Sequence, residues 1–181
     1  MELDGLGNVQ KPFDVLDPAF FREFGFYATI NLGPITRSQC AAVAFVSRAR
    51  TSSGTLPHVD IDEDQLTTEG ILTGSIAGAG SGNIDLLLVD GDGTVHNFTG
   101  ALKSDGTTKS FEIRVPPPGD GSAKPQLLIA VAGNAPLPAL AKPGTADEVF
   151  AGAYAEAREA GHQPAAGVKC LCASVKGCDP R

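Results

Sequence analysis

The residues of this chain best equipped for chemistry are its four cysteines, at positions 40, 170, 172 and 178. A thiolate can attack a disulfide, bind a soft metal or meet an oxidant, and spacing and surroundings decide which. If residues 167–175 form a strand, Cys170 and Cys172 share one face and lie about 6.6 Å apart along it. A disulfide needs Cβ atoms about 3.5–4.5 Å apart, so these two are not expected to bond to each other. Cys40 bridged to one of them, with Cys178 folded back to the other, is the oxidised scheme that the spacing allows. Structural zinc uses paired knuckles of two to four intervening residues, and C-x-C with one remote and one following cysteine departs from that pattern. A thiol-redox role for Cys170 and Cys172 is an alternative, with Lys169 and Lys176 as the neighbouring cations that would favour a thiolate.

The remaining candidates are acids, histidines and one glycine-rich stretch. Asp60, Asp62, Glu63 and Asp64 cluster in a polar segment. Asp60, Asp62 and Asp64 are candidate cation ligands, and the competing reading is a solvated charged linker. Leu88 to Thr99 can be laid on a calcium loop, with Asp90, Asp92, Gly93 and Val95 at the third, fifth, sixth and eighth positions. Leu88 and Thr99 then occupy the two places that need an Asp and a bidentate Glu, so a hairpin turn is the better account. His58, His96 and His162 are scattered and form no set. Thr73 to Gly80 matches the T-G-x-x-x-G-x-G turn of short-chain dehydrogenases in its letters. In a dinucleotide fold those glycines open a helix that holds the pyrophosphate. Here only Ser81, Gly82 and Asn83 precede the apolar strand Ile84 to Val89, and a parallel crossover needs a dozen or more residues. The motif is therefore read as a glycine-rich hairpin loop, and no cofactor is expected.

These residues must be positioned by elements that the patterning predicts. From Ile71 to Val131 the chain reads as strands at 70–77, 84–90, 94–98 and 110–115, then 126–132, with no helix-length segment between. Ile84 to Val89 and Gln126 to Ala132 are apolar on both faces and predict central strands. Phe111 to Val115 alternates and predicts one solvated face. Asp90-Gly91-Asp92-Gly93 predicts a tight turn. Upstream, a short helix after Asp17-Pro18 and an alternating strand at 26–32 are expected. Thr36 and Gln39 fit a capping box for a helix from Arg37 to about Arg48, burying Cys40, Val43, Ala44 and Phe45. Thr145 and Glu148 fit a second box, for a helix burying Val149, Phe150, Ala153, Tyr154 and Ala157 and closed by Gly161.

The fold class expected is mainly β with two or three helices, a β-sandwich with a C-terminal helix packed on it. Its parts are a flexible lead-in at 1–12, a helix-strand-helix unit at 13–50, a linker at 51–68, the sandwich at 69–176 and a tail at 177–181. The 181 residues suffice for a core. Net charge is −7 and no Lys/Arg cluster occurs, which argues against nucleic acid and anionic membranes as partners. Apolar runs such as Leu127 to Ala132 are far too short to span a bilayer. The start, Met-Glu-Leu-Asp-Gly, has no apolar core of a signal peptide. Oxidised cysteines would place the chain in a bacterial periplasm or envelope, and reduced ones in a cytoplasm.

The stretches Ile84 to Phe98 and Pro125 to Ala160 resemble accessory β-sandwich domains of unknown function attached to bacterial serine/threonine kinases and caspase-like peptidases. The likeness lies in a strand ending in a D-x-D-G-x-V turn, a later strand with A-x-A followed by P-L, and a helix after it. It covers under a third of the chain. The resemblance implies a sensing or protein-binding part of a larger bacterial protein and brings no catalytic residues with it. The function expected is thus a non-enzymatic protein-binding or assembly module, with a protein partner and no cofactor. Besides the redox alternative, a cation-dependent carbohydrate-binding sandwich is a third reading.

Overall fold

The computed structural model describes residues 35–50, 56–62, 65–66, 70–78, 82–115 and 124–173. The lead-in at 1–12, the helix after Asp17, the strand at 26–32, the tail at 177–181, and with them Asp64 and Cys178, lie outside these residues. Among the described residues the protein is mainly β, with two sheets and two helices.

Helix α1 (Cys40–Arg50) continues a 3-10 turn at Arg37–Gln39. Ten short strands follow: β1 (His58–Ile61), β2 (Gln65–Leu66), β3 (Ile71–Ala77), β4 (Asn83–Val89), β5 (Thr94–Asn97), β6 (Lys103–Asp105), β7 (Thr108–Arg114), β8 (Lys124–Gly133), β9 (Gly144–Thr145) and β10 (Ala165–Ala173). Helix α2 (Ala146–Glu159) lies between the last two. One sheet has the order β1-β3-β7-β6 and is antiparallel throughout. The other has the order β2-β10-β8-β4-β5-β9, antiparallel except for the β10–β2 pair.

Side-chain alternation sorts the core. On β4 and β8 the even-numbered Ile84, Leu86, Leu88, Leu128, Ala130 and Ala132 join Val59, Leu72, Ile76, Phe111, Ile113 and Val115 in one buried cluster shared by the two sheets. The odd-numbered Leu87, Val89, Leu127, Ile129 and Val131 face the other way, into a cluster with Ala42, Phe45, Val46 and Ala49 of α1 and Val149, Phe150, Ala153 and Ala157 of α2. Strands apolar on both faces are what such a doubly covered sheet requires. Each Leu or Ile fully buried this way contributes about 1.5–3 kcal/mol.

Local chemistry sets the helix starts. Thr145 Oγ1 accepts from the Glu148 backbone N–H, and a Glu148 carboxylate oxygen accepts from the Thr145 N–H at 3.0 Å. The Thr145 N–H and, secondly, the Thr145 hydroxyl, which also donates to Glu148 Oε2 at 3.0 Å, hold the Glu148 carboxyl below its usual range. Gly161, at φ +66°, ends the chain turn after α2. At α1, Gln39 Oε1 accepts from the Thr36 N–H at 2.9 Å. The Gln39 amide nitrogen donates among three backbone carbonyls, those of Val89 (3.2 Å), Asp90 (3.0 Å) and Pro125 (3.0 Å). Gln39 is fully buried, and it ties the start of α1 to the ends of β4 and β8.

Several expectations are corrected. The polar segment 51–68 is not only a linker: His58-Val59-Asp60-Ile61 pairs with β3, and Gln65–Leu66 pairs with β10. Val59 enters the core and Ile61 packs partly against it, while the other side of this edge strand is wet. Helix α1, the last part of the unit expected at 13–50, shares its buried cluster with the six-stranded sheet, as its apolar face requires. Its buried stripe is Ala42, Phe45, Val46 and Ala49; of the expected residues Phe45 is buried, Cys40 and Val43 are half-buried and Ala44 is exposed. Tyr154, expected in the stripe of α2, is 40 % exposed and carries Arg48 over its ring at 5.0 Å. The glycine-rich stretch after Thr73 is not a hairpin: β3 and β4 belong to different sheets, and residues 79–81 lie outside the described set.

Candidate functional site

The four-stranded sheet has one face in the shared core and one facing away from it. Pairing registers place Asp60, Ser75, Ser110 and Lys103 in one row across β1, β3, β7 and β6. Directly paired residues point to the same side of a sheet, so all four lie on the outward face. The next row holds Thr73 and Glu112. Asp62 extends it from β1, its backbone N–H donating to Thr73 O and its carboxylate accepting from Thr73 Oγ1.

Together these seven residues, with Gly74 and Phe111, line a groove of about 360 Å³. Gly74 points inward, and a Cβ there would run into the Asp60 carbonyl and the Phe111 ring. The missing side chain leaves room for that ring, 3 % exposed, on the inner side of the sheet. The groove thus carries three carboxylates, three hydroxyls and one ammonium group on the outward face of the sheet. It is equipped to bind, by charge and hydrogen bonds.

The other candidates are placed as follows. Asp60 lies 3.2 Å from His58 Nε2, both side chains being well exposed. The Asp90 turn uses its own acids: Asp90 Oδ1 accepts from the Asp92 and Thr94 N–H groups at 3.0 and 2.9 Å. Asp90 Oδ2 lies 3.2 Å from His96 Nε2, and Lys124 Nζ lies 3.1 Å from the Asp92 carboxylate. These contacts describe a braced hairpin turn. Among the described residues no three His, Cys, Asp or Glu side chains converge as a metal site would require. His162 lies apart, its ring near Gly133.

Cys40 and Cys170 are thiols, so no bridge joins α1 to β10. Cys170 is partly buried against the cluster that α1 shares with the six-stranded sheet. Cys172 is disulfide-bonded, and no disulfide joins two described residues. Cys170 and Cys172 are therefore not bonded to each other, in keeping with their separation along one strand.

Asp85 on β4 is partly buried, and burial raises its carboxyl above the ordinary value of 3.8, against the lowering effect of the Thr99 Oγ1 hydrogen bond. A raised folded-state pKa means that the folded protein holds this proton more tightly than the unfolded chain. Stability from this group is then fully present below about pH 4 and is lost as pH rises through the raised value. Asp85→Asn is expected to gain stability over wild type at pH 7 and to lose that gain at pH 4, read as the difference in urea midpoints. An advantage that grows toward low pH would invert the sign and reject the assignment.

Sequence reasoning reached Asp60 and Asp62 but not Lys103, Thr73, Ser75, Ser110 or Glu112. The alternation of Phe111 to Val115 predicted that Glu112 faces water. No sequence signal tells which strands lie beside it. The chain matches no protein-family model, no curated protein and no solved structure.

Proposed function

We propose that this chain is a non-enzymatic protein-binding or assembly module of a bacterial multidomain protein or complex, built as a β-sandwich with its C-terminal helix packed on it. The observation that carries this reading is the unequal covering of the two sheets. The six-stranded sheet buries side chains on both faces, toward its neighbour sheet and toward the helices. The four-stranded sheet buries one face, and its other face bears the polar groove. A rigid scaffold presenting one polar concave face suits recognition, and function is argued from such a site rather than from the fold. The bacterial and multidomain parts of the reading draw on the resemblance of residues 84–98 and 125–160 to accessory sandwich domains.

The redox alternative rests on the placement of Cys170 and Cys172 on one strand face alone. The carbohydrate alternative keeps Asp60 and Asp62 of its three acids among the described residues, both on the groove rim.

The test is site-specific photo-cross-linking in a bacterial lysate, with a photoreactive residue at Ser110 or, as control, at Glu159 on the exposed end of α2. Discrete adducts from position 110, absent from position 159, are expected. Adducts confined to position 159 would move the binding face to the helix side and overturn the assignment.

A further inference from the structure

We infer that the groove over β1, β3, β7 and β6 docks a basic, extended segment of a partner protein; this rests on the binding-module reading and names the chemistry of what is bound. Charge is the first argument. Asp60, Asp62 and Glu112 face Lys103 across the groove, three negative groups against one positive. Among the described residues, neither Glu112 nor Lys103 forms an ion pair or a side-chain hydrogen bond. A folded protein gains little from exposed charges held unpaired on a sheet face, whereas complementary charge across an interface steers encounter and fixes register.

Size is the second argument. A groove of about 360 Å³ admits a few side chains and not a folded domain. Thr73, Ser75 and Ser110 offer hydroxyls that can both donate and accept, as the backbone of an extended chain requires.

The arrangement also has direction. Strands in a sheet lie about 4.8 Å apart, so Asp60 and Lys103, three strands apart in one row, are separated by about 14 Å. Asp60 and Asp62 lie at the β1 edge, whereas Glu112 on β7 neighbours Lys103 on β6. A bound segment would set its Lys or Arg side chains toward β1 and keep further cations away from β6. The chain's own residues 1–34 carry Glu2, Asp4, Asp14, Asp17 and Glu23 against Lys11 and Arg22. Their net sign matches that of the groove, which disfavours that segment as occupant.

The experiment is an amide NMR titration of the full chain with a synthetic hexapeptide alternating glycine with lysine or arginine, beside its glutamate counterpart. Shifts are expected at residues 60–62, 73–75, 103 and 110–112 with the basic peptide only. Affinity should fall several-fold between about 20 and 150 mM salt, as screening of exposed charges requires. Glu112→Gln should weaken binding about 2–5-fold, the scale of one exposed ion pair, and Lys103→Gln should strengthen it by a similar factor. Glu159→Gln should change nothing. Shifts spread over Asp147 and Glu159 as well, equal binding of the acidic peptide, or no shift in the groove would each overturn the inference. Cross-links from position 110 that persist beside such a negative result would leave the binding-module reading standing and remove only the basic partner.

Discussion

Phe150→Ala is expected to lose about 3–5 kcal/mol of unfolding free energy in urea, with the slope against denaturant unchanged. The ring is 2 % exposed and lies 5.2 Å, centroid to centroid, from Phe45 at an angle of 41°. It thereby joins α2, α1 and the outer face of the six-stranded sheet in one cluster. Truncation removes the transfer energy of the ring and leaves a cavity that two helices and a sheet cannot readily collapse. A tilted aromatic pair adds about 0.5–1.5 kcal/mol beyond burial, so a double-mutant cycle with Phe45→Ala should show coupling of that size. Tyr154→Ala, one turn along the same helix, is expected to cost under about 1 kcal/mol, since that ring is half in water under Arg48. A loss below about 1 kcal/mol at Phe150 would show that α2 is peripheral and not part of the core.

Gln39→Met should cost about 2–4 kcal/mol although it keeps the length of the side chain. The substitution removes the donor to Val89 O, Asp90 O and Pro125 O and the acceptor for the Thr36 N–H, in a place without exposure. Leaving buried polar groups unpaired costs about 1–3 kcal/mol for each group that cannot find water. Gln39→Glu separates this from packing. A carboxylate there would face three carbonyl oxygens, so the new acid should hold its proton in the folded state. Its stability is then greatest below about pH 4, the unfolded value for Glu, and falls as pH rises. A Gln39→Glu protein as stable relative to wild type at pH 8 as at pH 4 would show that the amide is not held against those carbonyls.

Much of the fold was legible where one residue type decides a local outcome. Ile84 to Val89 and Gln126 to Ala132 read as central strands because both their faces are apolar, and they are the middle strands β4 and β8. Thr145 with Glu148, and Asp90 with Gly93, carry their own hydrogen-bonding logic within five residues. Short polar edge strands were not legible. Lys103 to Ser110 holds a hairpin turning at Gly106, φ +62°, yet its residues are polar on both sides and show no buried period. His58 to Ile61 alternates over only four residues, too few to stand out from the acids around it. The groove was illegible for a different reason. Asp60, Ser75, Ser110 and Lys103 meet only through strand pairing at long range, and a register shift of one residue in any of the four strands would take its member out of the row.

The turn between β4 and β5 bears on how the chain reaches this structure. Gly93, at φ +86°, lies so close to Ser38 that a Cβ would stand 2.7 Å from the Ser38 Cβ, and its carbonyl accepts from the Ala146 N–H at 2.7 Å. Both helices therefore begin on a single hairpin turn, one arriving from 51 residues upstream of Asp90 through Gln39. The hairpin itself closes with few intervening residues and needs neither helix. The chain-entropy cost of bringing distant segments together is met last by those with the longest loops. If the β4–β5 hairpin forms first, substitutions in it should slow folding, whereas those in the helices should mainly speed unfolding, read from the two arms of a urea chevron. During synthesis α1 leaves the ribosome well before its seat exists, and it must wait unfastened until Pro125 and then Ala146 have followed.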